Sequence, residues 1–401
     1  MRIPYLTIAL GLLLSACQSL DSVEPAQDKA FIKFYGEAGD TDGKDIRVLD
    51  DGYLILGTNT QESTSGALLI KVDLNGNQMW GQLFDKMTAS GLIILDDGYI
   101  IVGDSIDISN TDPKTTMFLI KTDLNGAETG RTSVGDNIRS FHGTAGAFDT
   151  NGNEVVALGY IEDINDSTFL MGFNTDLSQA WTRYRAFGKD NQRSKASPSL
   201  FSFTQADSVR FGWLSVLEPD APAGVDFVEA GADKSTPSGV TNLFTGNTLI
   251  DANADFNTSP VGFVAVQSIN DTNGSSIGIS HFDTDIDITT TLDRKQRDGN
   301  FYAHAVVSSS GGDVILGSTD FHEGNSNRTD RDIYIARADI TGGFDDLTGF
   351  ELFIGGDGEE TGAKIRQAAD GGFIAIGTVE NTNKAKSMVV IKINNKGELL
   401  N

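Results

Sequence analysis

The sequence predicts an all-β repeat fold, and three observations carry that prediction. First, Leu49-Asp-Asp-Gly-Tyr-Leu-Ile-Leu-Gly57 recurs as Leu95-Asp-Asp-Gly-Tyr-Ile-Ile-Val-Gly103 after 103 − 57 = 46 residues, and returns in part as Asp370-Gly-Gly-Phe-Ile-Ala-Ile-Gly377. A fixed period of that size marks a repeat array. Second, each copy sets an Asp-Gly turn before a short run of aromatic, β-branched and leucine residues, which is how a tight turn feeding a buried strand is written. Third, Gly accounts for 45 of 401 residues, above the usual ~7 %, and no long amphipathic helical period follows residue 30.

The first unit has four strand candidates: Ile46–Leu49, Tyr53–Leu56, Ala67–Asp73 and Gln78–Phe84. Turn signals stand at Asp51-Gly52 and at Leu74-Asn-Gly-Asn77. The second unit repeats them at Gly91–Leu95, Tyr99–Val102, Met117–Asp123 and Glu128–Val134. Four strands in a unit of about 50 residues is the signature of a β-propeller blade.

Carried forward, the pattern ends its second strands at Gly57, Gly103, Gly159, Gly212, Gln267, Gly317 and Gly377. Third strands follow at Phe169–Phe173, Val225–Val228, Ile277–Ser280, Ile333–Ala336 and Met388–Ile393. Seven copies can be traced. The fourth and fifth are faint, and five of the eight prolines (Pro198, Pro219, Pro222, Pro237 and Pro260) fall there, which predicts short or edge-like strands. The seventh stops after its third strand and the turn Asn394–Gly397, while Phe31–Tyr35 has no strand before it to pair with. Phe31-Ile-Lys-Phe-Tyr35 resembles the segments that close earlier units, Tyr184–Gly188 and Phe350–Gly355. The expected fold is therefore a seven-bladed β-propeller with four-stranded blades over residues 30–401, closed by residues 30–35 completing the last blade. Such closure removes an exposed strand edge at each end of the array.

The N-terminus carries one positive residue, Arg2, then an apolar run too short to span a bilayer, then Leu14-Ser-Ala-Cys17. This stretch resembles the lipobox of bacterial lipoproteins. The resemblance implies a signal peptide over residues 1–16, lipid on Cys17, and a polar tether over residues 17–29. Gln18, rather than Asp, after the Cys implies an outer-membrane address. Cys17 is the only cysteine, so no intrachain disulfide and no Cys-based metal site can form. The Asp-Gly-Gly-(Tyr/Phe) runs, followed by Leu-Ile-Lys-(Val/Thr)-Asp-Leu-Asn-Gly, resemble the propeller repeats of secreted and surface proteins of bacteria, notably lipoproteins of unknown function. Tryptophan-aspartate and kelch repeats match poorly, because the closing Trp-Asp pair is absent and the Gly-Gly pairs are not equivalently placed.

The net charge of −26, from 56 acidic and 30 basic residues, repels phosphate backbones and argues against nucleic acid as a partner. Long, variable loops between second and third strands, such as 58–66, 104–116, 268–276 and 319–332, would share one face with the links between units, and such loops are where binding surfaces are built. Solvated insertions are the plainer account of them. The column after each strand-two Gly (Thr58, Asp104, Tyr160, Trp213, Ser318, Thr378) is expected at the rim of the central channel. Tyr160 and Trp213 there would offer a stacking platform for a sugar, with Asp104 beside them. Trp80 and Trp181, at matching fourth-strand places, are expected to pack between units.

The sixth loop gathers His322, Glu323, Arg328 and Arg331, which could clamp a carboxylate or sulfate; internal salt bridges explain it as well. Asp-rich runs 40–45 and 149–154 raise Ca2+ as a cofactor, although Gly comes one ligand early for a calcium loop and Asx-turns account for both runs. Otherwise no cofactor is expected. The four histidines share no metal-binding spacing and no Gly-x-Ser-x-Gly elbow is present. The sequence thus favours a lipid-anchored cell-envelope binding module for a glycan or protein partner. A propeller-type glycoside hydrolase or polysaccharide lyase, or a structural component of an envelope complex, are the alternatives.

Overall fold

The computed structural model describes residues 30–399 except 37, 63, 107–113, 137, 150–152, 163–166, 187–192, 206–207, 219–223, 230–240, 243–254, 260–261, 272–273, 284–287, 294–298, 323–327 and 339–348; in the fourth repeat and part of the fifth it describes chiefly backbone. Among these residues, strands fall into seven four-stranded antiparallel sheets. Sheet one holds Asp40–Leu49, Gly52–Gln61, Thr64–Asp73 and Gln78–Asp85, and sheet two holds Thr88–Leu95, Gly98–Ile106, Thr115–Thr122 and Glu128–Val134. Sheet three holds Ser140–Asp149, Glu154–Glu162, Ser167–Asn174 and Gln179–Ala186; sheet four holds Arg193–Gln205, Ser208–Glu218, Gly224–Glu229 and Thr241–Asn242. Sheet five holds Asp255–Ser259, Gly262–Asp271, Gly274–Phe282 and Ile288–Asp293; sheet six holds Phe301–Ser309, Gly312–Thr319, Asp332–Ala338 and Glu351–Ile354. Sheet seven is built from Glu360–Gln367, Phe373–Glu380 and Lys386–Ile393, with Phe31–Tyr35 as its fourth strand. Phe31 lies opposite Lys392 and Tyr35 opposite Met388, as residues 30–35 were expected to pair.

The repeated motif explains its own turns. Asp73 Oδ1 accepts the backbone N–H of Asn75 at 2.9 Å and of Asn77 at 2.7 Å, and Asp123 and Asn394 do the same for the equivalent residues of their turns. These are Asx-turns, which set the strand three-to-four hairpin. The motif lysine then ties that strand to the preceding turn: Lys71 Nζ meets Asp51 at 2.7 Å, Lys121 meets Asp97 at 2.8 Å, and Lys392 meets Asp370.

Apolar layers lie between consecutive sheets. Leu54, Leu69 and Phe84 of sheet one pack with Leu92, Tyr99 and Ile101 of sheet two, and Ala305, Leu316 and Ile333 of sheet six pack with Ile365, Phe373 and Val389 of sheet seven. Sheet seven also packs on sheet one, through Tyr35, Ile374, Met388 and Val390 against Ile46, Tyr53, Leu68 and Ile70. Trp80 and Trp181 belong to such layers, as expected from their matching places: Trp80 sits 6.3 Å from the Tyr99 ring, and Trp181 packs with Phe211 of the next sheet.

Two expectations change. The repeated Gly does not end strand two; Gly57, Gly103, Gly159, Gly317 and Gly377 sit within strands that run on for several residues. At each, the neighbouring first strand carries a β-bulge, between Gly43/Asp45, Ala89/Gly91, Gly143/Ala145, Ala303/Ala305 and Gly362/Lys364. The bulge pushes a backbone carbonyl onto the place a Cβ would take, such as that of Thr88 at Gly103 or Thr361 at Gly377. Second, two of the supposed long loops are tight: strand Gly52–Gln61 turns directly into Thr64–Asp73, and Gly262–Asp271 into Gly274–Phe282. The Asp-rich run 40–45 is likewise strand, with Thr41, Gly43 and Asp45 turned inward and Asp40, Asp42 and Lys44 half-exposed.

Candidate functional site

The column after the repeated Gly faces the next sheet. The first strand of each sheet is an edge, so its outward N–H groups need acceptors from elsewhere. Thr58 Oγ1 accepts the Ala89 N–H at 2.9 Å, Asp104 Oδ1 accepts that of Gly143 at 2.6 Å, Ser268 Oγ that of Ala303 at 2.9 Å, and Thr378 Oγ1 that of Gly43 at 3.0 Å. Ser318 makes the same contact to Gly362 at 3.4 Å. These bonds fall at the bulge and couple sheets one, two, five, six and seven each to its successor. Thr58, Ser268, Ser318 and Thr378 are buried, so this column is a set of inter-sheet pins instead of the open rim expected for it.

Asp104 and Tyr160 do come together, through a residue the sequence did not single out for this place. His142 lies in the first strand of sheet three, where Nδ1 is 2.9 Å from Asp104 Oδ2 and Nε2 is 3.3 Å from Glu162 Oε2. Its ring stacks on Tyr160 with centroids 4.6 Å apart and planes 17° apart. Burial works against the charged ring, but the hydrogen bonds and charges of Asp104 and Glu162 outweigh it and raise the His142 pKa above its ordinary value. Trp213 occupies the equivalent backbone place in strand Ser208–Glu218, opposite Leu200 and Asp226; its side chain lies outside the described residues, as do Cys17 and Glu323.

The denser cluster lies at the seam of sheets six and seven. Loop 320–331 leaves the strand Gly312–Thr319 and returns at Asp332, while the link 355–359 leads into Glu360, the first residue of the next inner strand. His322 Nδ1 is 3.1 Å from Asp332 Oδ2, and Nε2 is 2.8 Å from the Asp330 carbonyl oxygen. Arg328 Nη2 donates to Asp330, to Asp332 at 3.2 Å and to the Gly356 carbonyl. Arg331 pairs with Glu359 and lies 5.0 Å over the Tyr302 ring. Both arginines expected to clamp an external anion are thus engaged by carboxylates of the same chain.

Glu360 is 1 % exposed, and only one of its carboxyl oxygens, Oε2, is bonded, to the Gly356 N–H at 3.2 Å. Oε1 has no hydrogen-bond partner among the described residues. Burial raises the Glu360 pKa to about 7; the Gly356 N–H and Arg328 pull it down, and Asp332 and Asp330 add to the rise. A Cβ at Gly355 would fall on Asp332 Oδ1 and Glu360 Oε2 together, so only glycine lets the link pass this close to both carboxyl groups. Asp330, Asp332 and Arg328 stood in a loop the sequence marked as polar. Glu360, Tyr302 and His142 carried no local signal, since each reaches its partners only through the contact of neighbouring sheets.

No family model matches the chain, and no curated protein matches it. Among solved structures, it is similar to the β-propeller domain of the trilobed protease from Pyrococcus furiosus, at 10 % identity and a TM-score of 0.47, over 90 % of this chain and 99 % of that one. The chain is all-β. A phage phi92 endosialidase is similar at 8 % identity and a TM-score of 0.47, over 93 % of this chain and 70 % of that one, and an acylaminoacyl peptidase from Pyrococcus horikoshii at 11 % and 0.45, over 90 % and 53 %.

Proposed function

We propose that the seven sheets are the blades of a closed seven-bladed β-propeller, anchored to the bacterial outer membrane by lipid on Cys17, which binds a glycan or protein partner at the end of the ring where loop 320–331 emerges. The closed ring is supported by the contact of the inner strand Asp40–Leu49 with Glu360–Gln367, and by the pairing of Phe31–Tyr35 with Lys386–Ile393. The observation that carries the binding role is the contrast between the two ends of the sheets. One end is filled by repeated Asx-turns and Lys–Asp pairs that serve the scaffold; the other brings together unrepeated polar side chains, Asp104–His142–Tyr160 on one arc and the His322–Asp332–Glu360 cluster on another.

A hydrolase is the second reading, favoured by Glu360, a carboxyl group with pKa raised to about 7 near the acceptors Asp332 and Asp330. Glu360 and Asp332 are only 1 % and 7 % exposed, however, and a general acid must reach the leaving group of its substrate. Binding therefore fits better than catalysis. The test is a glycan array probed with a soluble form lacking residues 1–28, alongside a pull-down of envelope proteins. Retention of one glycan class without its cleavage supports the binding role; cleavage would replace it with the hydrolase, and silence on the array and in the pull-down would sink both.

A further inference from the structure

We propose that Glu360 is a proton-operated clasp at the seam of sheets six and seven: with its carboxyl group protonated, segment 328–332 and the link 355–359 are held together, and loss of the proton loosens them. The clasp itself needs no ligand, so it and the binding role above can each fail without the other.

Two short segments are joined at this seam by their backbones. The Glu360 N–H donates to the Arg331 carbonyl at 2.7 Å, the Arg331 N–H donates to Glu359 Oε2 at 3.2 Å, and Arg328 Nη2 donates to the Gly356 carbonyl. The join forces two carboxyl groups together. The place a Cβ would take on Gly355 is overlapped by Asp332 Oδ1 and lies 2.7 Å from Glu360 Oε2, so the two groups are immediate neighbours. Both are buried.

The charged groups around Glu360 come from both sides of the seam. Sheet six and its loop supply Asp330 and Asp332, the Arg328 bonded to both, His322 against Asp332, and Arg331, which is paired with Glu359 over the Tyr302 ring. His304 lies in the neighbouring strand Phe301–Ser309 and is turned to Ser318. Within sheet seven, Lys364 follows on the same strand, Glu380 lies 3.8 Å from Lys384, and Lys386 meets Asp40 and Asp42 of sheet one. Burial opposes ionisation of Glu360 most, Asp332 and Asp330 add to that, and the Gly356 N–H and Arg328 work against it.

The two protonation states differ in what the seam must hold. Protonated, Glu360 is neutral, and the group beside it carries only the charges that Arg328 already answers. Ionised, it sets a third carboxylate against Asp330 and Asp332, held by one N–H at 3.2 Å, and a buried like charge is costly. Parting the seam brings that carboxylate into water and removes the cost. Closed, Glu360 keeps its proton up to about pH 7, against an ordinary 4.5. The parted state therefore gains on the closed one as the pH rises from 4.5, at up to about tenfold per pH unit, and levels off once the closed state has also lost its proton. Mild acid fastens this end of the molecule and mild alkali loosens it.

The test is hydrogen exchange of the full chain in detergent from about pH 5 to about pH 8, corrected for the intrinsic rate at each pH and read on peptides covering 328–332 and 355–360. The wild-type opening constant should rise by about tenfold or more between pH 5 and pH 7. Glu360→Gln, which keeps the neutral state, should show no such rise. A pH dependence arising from His322 would survive that substitution, so parallel profiles of the two chains would overturn the proposal. Infrared spectra of the wild-type chain carrying carbon-13-labelled glutamate give a second readout that needs no variant to fold: a buried carboxylic-acid band, present in mild acid, should fade as the pH passes about 7. The absence of that band in mild acid, or its persistence at about pH 9, two units above the expected midpoint, would overturn the proposal as well.

Discussion

Gly103 shows how much a single missing side chain can determine. Its Cβ, if present, would lie on the carbonyl oxygen of Thr88, pushed there by the bulge between Ala89 and Gly91. The Met87 methyl nearby could swing aside, but the Thr88 carbonyl is backbone, so the backbone itself must move. Gly103→Ala is expected to destabilise the protein by about 2 to 4 kcal/mol, read as a shift in the urea midpoint. An unchanged midpoint would mean that the bulge relaxes freely.

His304 makes a different point at the same scale. It is the bulged residue of the first strand of sheet six, and Ser318 Oγ lies 2.8 Å from its Nε2. Burial, with help from Arg331 and Lys364, lowers its pKa to about 4 from an ordinary 6.5. The unfolded chain therefore binds a proton that the folded one refuses between pH 6.5 and pH 4, so this residue's contribution is fully present above pH 6.5 and is lost as the pH falls toward 4. The loss is on the order of 3 kcal/mol at most. Denaturation of wild type and His304→Asn across that window should show a steeper fall for the wild type; parallel curves would remove His304 as the cause.

What the sequence could and could not convey is also clearest residue by residue. Asp104, Tyr160, His322, Arg328 and Arg331 were legible because they interrupt a repeat, at places where other copies hold something else. Their partners were not. Glu360 follows Asp332 by 360 − 332 = 28 residues and belongs to the next sheet, so only the packing of sheets brings the two together. The column after the Gly was legible as a column, but not as pins, because a bulge leaves no mark in a hydrophobic pattern.

Among elements, the turns were the most legible and the inner strands the least. Asp-Gly and Asp-Leu-Asn-Gly write their own geometry through local hydrogen bonds. Inner strands such as Asp40–Leu49 begin in polar residues, with every second side chain half-exposed, and so read as loop. The motif's Lys–Asp pair is an element-level device whose value depends on setting. Lys71–Asp51 is largely exposed on its acidic side, and Asp51→Asn should change stability by less than about 1 kcal/mol. The Lys392 side chain is fully buried, so Asp370→Asn strands its charge and should cost roughly 2 to 4 kcal/mol, somewhat less than a wholly buried pair because Asp370 remains partly exposed. Equal melting temperatures for the two variants would contradict this ranking.

At the scale of the whole molecule, the seam between sheets seven and one uses the same parts as the joint between sheets one and two: a buried apolar layer and a pin, from Thr378 to the Gly43 N–H. The chain's own break falls instead within sheet seven, along the ladder of Phe31–Tyr35 on Lys386–Ile393. Removing residues 1–28 should leave the melting temperature unchanged, whereas removing residues 1–36 exposes a long apolar edge and should lower it and promote self-association. Light scattering with thermal melts of the two truncations checks this, and identical behaviour would count against the ladder.

The register of that ladder also fixes an orientation. Phe31 stands opposite Lys392, beside the hairpin at Asn394–Gly397, and Lys33 reaches Asn77 in the matching hairpin of sheet one. The strand Phe31–Tyr35 therefore begins at the hairpin end of the molecule, the end opposite Asp332 and Glu360. The first described strand thus starts among the repeated turns, and the unrepeated polar residues stand at the far end of the sheets from it.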